Sequence, residues 1–192
     1  MKKIIFGGLF AATALLGTMN AQIQKGNWMV GAQVADMKFT NGFNLRLTPQ
    51  LGYFIQDNWA VGGEVDLSIA DQTNGGTTTD IGIGAFTRYY LNPGQGGVDN
   101  LLKHGRFFGQ ANVGYKGINQ SAGATTNGLG LGIGVGYAYF LTPNVGLEAL
   151  LKFEGVTGGG NQNFNGDLKL GVGFQIYLPS SKAREISRDL KN

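Results

Sequence analysis

Cysteine is absent from this chain of 192 residues, histidine occurs once, and proline occurs four times. Without cysteine there can be no disulfide framework, thiolate zinc site, cysteine nucleophile or lipidated N-terminal cysteine. A single histidine argues against a multi-histidine metal centre. Charge is scarce as well: Asp, Glu, Lys and Arg make up 14% of the chain, against roughly 25% in an ordinary soluble domain. Beyond Leu16 no apolar run is long enough for a membrane helix of about 20 residues. Glycine, by contrast, is plentiful. There are 34 glycines, about two and a half times the usual share, with no collagen-like period of three.

The formal charge of +3 sits at the ends of the chain. Lys2 and Lys3 contribute +2, and the stretch from Pro179 to Asn192 contributes another +2, leaving residues 22–178 at −1. No basic surface is left to attract nucleic acid. The N-terminal lysines precede an apolar run from Ile4 to Leu16, then small and polar residues to Ala21. A positive start, a short apolar segment and a small residue before a cut describe a secretory signal peptide. Residues 1–21 are read as that peptide, although Met19 fits imperfectly three positions before the cut.

From Trp28 onward the chain alternates with a period of two, the signature of strands with unlike faces. Phe43, Leu45, Leu47, Leu51 and Tyr53 share one face, opposite Asn44, Arg46, Thr48, Gln50 and Gly52. The pattern recurs in eight segments. In the sixth, Leu129, Leu131, Ile133, Val135, Tyr137 and Tyr139 oppose glycines at 128, 130, 132, 134 and 136. No charge falls on the apolar faces. The other faces carry Arg46, Arg88, Lys116, Lys152 and Lys169 with Glu64, Asp66, Glu148, Glu154 and Asp167. A charge facing lipid near the bilayer centre costs on the order of 2–4 kcal/mol, whereas one facing a lumen can be paired or wet. The ten residues are therefore assigned to a charge network inside a barrel, where a lone ion would be costly.

Alternation alone also permits a soluble, ligand-holding barrel with its apolar face inward. Aromatic residues argue for the inside-out arrangement. Trp28, Tyr53, Phe54, Trp59, Tyr89, Tyr90, Phe107, Phe108, Tyr139, Phe140 and Tyr177 all fall at alternate strand junctions, hence at one rim. They are read as an interfacial girdle, represented by Trp28, Tyr53, Trp59, Tyr89, Phe107 and Tyr139. Gln56-Asp57-Asn58 and Thr142-Pro143-Asn144 form short turns at that rim, while Asp71–Thr79, Asn119–Thr126 and Thr157–Asn165 read as long mobile loops opposite. The link from Asn92 to Gly105 is long, with a small helix expected over Val98–His104. The glycine row of the sixth segment is assigned to tight curvature, with room for Phe86, Arg88 or Lys152 as the alternative.

Catalysis finds no support. His104 reads as an ordinary loop histidine, and Asp71, Asp80 and Asp167 as solvated loop carboxylates rather than calcium ligands. The alternating glycines lack the strand-to-helix setting of a phosphate loop. No catalytic residue, cofactor or metal is assigned.

The stretches RYYLNP (88–93), RFFGQANVGY (106–115) and GYAYFLTPNVGLEALLKF (136–153) resemble strand-to-turn junctions of the OmpA/OmpX-like eight-stranded outer-membrane barrels, the outer membrane protein beta-barrel domain family. The segment KLGVGFQIYL (169–178) is similar to the signal read by that family's assembly machinery, on Gly171, Phe174, Ile176 and Leu178. The resemblance implies an all-β, eight-stranded antiparallel up-and-down transmembrane barrel over 22–178, with a periplasmic tail over 179–192. It implies an outer-membrane location in a Gram-negative bacterium with both termini periplasmic, and a monomer whose partners are membrane lipid, lipopolysaccharide and the assembly machinery. The tail is too short for a peptidoglycan-binding domain. The expected role is membrane structure or surface interaction around a charge-lined, plugged lumen, and a narrow porin-like channel for ions or small solutes is the alternative.

Overall fold

Alternating residues form extended strands because every second side chain then shares an environment, and a closed sheet leaves no unpaired edge. A computed structural model of the protein describes residues 23–38, 43–72, 76–91, 105–120, 126–158 and 161–181. Its eight strands are β1 (Trp28–Lys38), β2 (Phe43–Gln56), β3 (Trp59–Gln72), β4 (Gly76–Tyr90), β5 (Gly105–Gln120), β6 (Thr126–Thr142), β7 (Val145–Gly158) and β8 (Asn161–Leu178). Each pairs antiparallel with the next, and β8 returns to β1, closing the barrel. The expected signal peptide, the helix over Val98–His104 and most of the C-terminal tail lie outside the described residues.

At the end of the barrel where β1 begins and β8 ends, the β2–β3 and β6–β7 turns are tight. Asp57-Asn58 joins β2 to β3, with Asn58 in the left-handed region (φ 66°). Asparagine tolerates that conformation better than most residues, and the β2–β3 ladder shifts register between Phe54 and Gln56 just before it. In the second turn, Thr142 Oγ1 accepts bonds from the N–H groups of Asn144 (3.3 Å) and Val145 (3.1 Å).

The opposite end departs from the sequence reading. The described parts of the three segments expected as long loops continue the ladders: Asp71 pairs with Thr77, Gln72 with Gly76, Thr79 with Asn119, and Val156 with Asn165. Paired strands satisfy each other's N–H and C=O groups, and threonine suits extended backbone, so pairing outlasts the apolar stripe. Glycine, threonine and asparagine mark where apolar burial stops rather than where the strand stops.

Along the middle of the strands most large apolar residues face outward. Ile83, Ile133 and Val135 are 68%, 65% and 67% exposed, whereas Arg88 and Gln175 are completely buried. The barrel is thus the inverse of a soluble one. The outward apolar stripe on β3, from Trp59 to Ile69, rises about 25 Å along the axis for a strand tilted by roughly 40°.

Candidate functional site in the barrel interior

Among the described residues, buried polar chemistry is concentrated in the interior, where every strand but β6 supplies polar side chains. Its terminal half is centred on Arg88 of β4. Arg88 Nη1 donates to both Glu148 oxygens on β7, at 2.9 and 2.8 Å. Nη2 donates to Gln50 Oε1 (3.1 Å) and Gln110 Oε1 (2.6 Å), and Nε donates to the same Gln110 oxygen (2.9 Å). Nη1 also reaches the Tyr90 hydroxyl at 3.1 Å. Tyr177 donates to Glu148 Oε1 at 3.0 Å, and the Tyr90 and Tyr177 hydroxyls lie 3.0 Å apart. One face of the guanidinium lies over the Phe108 ring, 4.3 Å from its centroid, an attraction of about 2 kcal/mol where water is excluded. Both ionic side chains are fully buried.

The aromatic rim explains that dryness and corrects the sequence reading. Trp28, Tyr53, Trp59, Tyr89 and Tyr139 face outward, with Phe107 half-buried. Phe54, Tyr90, Phe108, Phe140 and Tyr177 instead point inward and are 5% exposed or less. Neighbours in sequence on a strand must face opposite ways, so in each pair such as Tyr53-Phe54 one ring joins the girdle and the other fills the mouth. The inner rings touch one another: Phe54 lies 6.0 Å from Tyr90, Tyr90 5.4 Å from Phe108, and Phe140 5.4 Å from Tyr177. With Met29, Phe86 and Leu150 they form a buried apolar cluster beside the Arg88–Glu148 pair.

The other half of the interior is built differently. Lys116 on β5 contacts Asp66 on β3 (2.8 Å) and Glu154 on β7. Glu154 also receives Lys152, and Lys169 at 3.7 Å. Thr48 donates to Asp66 at 2.8 Å, and Gln50 Nε2 donates to Glu64 at 3.0 Å, joining Glu64 to the Arg88 layer. Farther out, Arg46 meets Asp80 at 3.6 Å. Three lysines around one carboxylate form an exchangeable set of point charges, unlike the fixed fork of the arginine.

Nine of the ten residues assigned to the network therefore lie in buried or half-buried ionic contacts or hydrogen bonds facing the lumen. Asp167 does not: it is exposed near the far end of β8. The acid that takes its place is Asp80. It belongs to β4 rather than to a loop, because the ladder carries the strand down to Gly76. Gly171, Phe174, Ile176 and Leu178 lie along the closing seam opposite Ala35, Ala32, Val30 and Trp28, with Phe174 exposed on the outer surface.

The glycine row of β6 makes room for neighbours, but for Phe108 and Lys116 rather than for the side chains named from the sequence. A Cβ on Gly134 would stand 2.6 Å from the Leu151 carbonyl oxygen, so the strands approach closely there. Side chains also lie across the row. A Cβ on Gly136 would clash with the Phe108 ring, and one on Gly130 would meet the Lys116 stem at 3.0 Å. Phe86, on the opposite wall, lies across Gly52 and Gly62.

No protein-family model matches the chain, and no curated protein sequence does. Solved structures do match. The N-terminal β-barrel domain of Pseudomonas aeruginosa OprF aligns with TM-score 0.50 at 18% identity, covering 80% of this chain and 98% of that domain. Neisserial surface protein A aligns with TM-score 0.51 at 18% identity, covering 79% and 97%. The outer membrane protein OprG from P. aeruginosa aligns with TM-score 0.52 at 12% identity, covering 83% and 99%. The fold is that of the small eight-stranded outer-membrane barrels.

Proposed function

We propose that the protein is a bacterial outer-membrane barrel that serves membrane structure or surface interaction, with a lumen closed by its own side chains. The Arg88 layer carries this reading: seven side chains from β1, β2, β4, β5, β7 and β8 meet through a guanidinium and a carboxylate that are completely buried. The outer surface supports the membrane location. Large apolar residues cover it without interruption by charge, far beyond the few hundred Å² of apolar patch usual on a soluble monomer. Closure of the sheet satisfies the backbone polar groups that lipid could not.

In this reading lipid and lipopolysaccharide surround a monomer, and the barrel-assembly machinery reads Gly171, Phe174, Ile176 and Leu178 on β8. The termini face the periplasm, and no catalysis is assigned. Liposome swelling tests the closed lumen. Vesicles containing the refolded protein are expected to stay as tight to small sugars as protein-free vesicles, and sustained swelling would assign a narrow channel instead. Heat-dependent gel migration and carbonate-resistant membrane fractionation test the location, and a carbonate-soluble protein would refute it.

A further inference from the structure

Just before β1, at the end of the barrel that holds the β2–β3 turn, lies a piece of chain that belongs to no strand. Residues 23–27 turn back beneath the rim. Asn27 N–H donates to the Gln24 carbonyl (3.2 Å), with Gly26 between them at φ 91°, a turn in which that position favours glycine. The segment is bonded on two sides. Toward β2 and β3, Gly26 N–H donates to the Phe54 carbonyl (2.8 Å), Asn58 N–H to the Ile23 carbonyl (2.7 Å), and Lys25 N–H to Asp57 Oδ1 (2.8 Å). Toward the end of β8, Ser180 Oγ donates to the Gly26 carbonyl (2.8 Å), and Ser180 N–H donates to Asn27 Oδ1 (3.3 Å). Ile23 is 3% exposed and belongs to the same apolar cluster as Phe54, Tyr90, Phe108 and Tyr177. Gln24 and Lys25, on either side of these bonds, are exposed.

We propose that residues 23–27 are a clasp: they seal the terminal mouth with Ile23 and tie the end of β8 to the β2–β3 hairpin across the closing seam. The seam is where such a tie has most effect. β1 and β8 pair only from Trp28–Leu178 to Ala35–Gly171, the shortest ladder in the barrel, and the Ser180 bonds continue it immediately below Trp28. Opening the mouth then requires Ile23 to leave the apolar cluster and both sets of bonds to break together.

The absence of cysteine makes the test direct. Ile23→Cys and Gln24→Cys, each refolded in detergent micelles or vesicles, are labelled with a membrane-impermeant maleimide. The clasp requires position 23 to react at least roughly tenfold more slowly than position 24, the protection expected of a docked segment. Equal rates in these two otherwise native chains would overturn it. Adding Asp57→Ala and Ser180→Ala to Ile23→Cys removes one anchor on each side. Labelling is then expected to speed up by roughly tenfold, with heat-dependent gel migration still reporting a folded barrel. A folded double-anchor variant whose rate is unchanged would also overturn the clasp.

Discussion

The two halves of the interior hold unequal numbers of charges and handle them in opposite ways: one ion pair in the terminal half, a cluster of ion pairs in the other. In the terminal half one arginine and one glutamate are fully buried, tied by several hydrogen bonds and walled by aromatic rings. In the other half, lysines with side chains 9–17% exposed share Glu154 and Asp66 above a floor of glycine. A dry ion pair cannot be replaced by water when a partner is lost, whereas a moister cluster can rearrange. The same chemistry is therefore structural at one end and adaptable at the other.

The sharpest way to break this contrast is charge reversal in the dry layer. Glu148→Lys sets two cations side by side among aromatic rings, and its cost is expected to exceed the roughly 3–5 kcal/mol of removing one partner from a buried pair. Urea unfolding in lipid or detergent measures it. Arg88→Met alone should fall within that roughly 3–5 kcal/mol, and the double variant Arg88→Met/Glu148→Leu should recover most of the loss. A double variant no better than the single would show that the layer is held by packing rather than by its charges.

Glycine sharpens the comparison next. Gly136→Leu drives a side chain into the Phe108 ring and the Ala149 carbonyl, an overpacking cost of about 1–3 kcal/mol. Lys169→Met comes last, at about 0–1 kcal/mol, because its contact is long and partly exposed and two other lysines remain on Glu154. A Lys169 variant as damaging as the Arg88 variant would erase the difference between the halves.

Much of the architecture was legible in the sequence because lipid on one side and a narrow lumen on the other impose a strict period of two. Eight strands, the closing order and the inward direction of Arg46, Arg88, Lys116, Lys152 and Lys169 follow from that period. The inward aromatic cluster is also written in the sequence, in the parity of its positions. Phe54 shares the parity of Gln50 and Gly52, Tyr90 that of Arg88, and Phe140 that of the glycine row. Counting aromatics per rim hid what counting positions would have revealed. The far strand ends were not legible, because Thr, Gly and Asn there look the same in a loop and in a solvated ladder. That ambiguity also placed Asp80 in a loop and Asp167 in the network. The clasp leaves only the short turn signal Lys25-Gly26-Asn27, and its hydrogen-bond partners are far away in the chain.

Single-channel recording of the refolded, unmodified protein in a planar bilayer tests the closed interior most directly. A barrel plugged by the Arg88 layer leaves the membrane at its baseline current, without stable open levels. Large, long-lived openings from the native chain would mean that the buried arginine and its rings do not close the lumen.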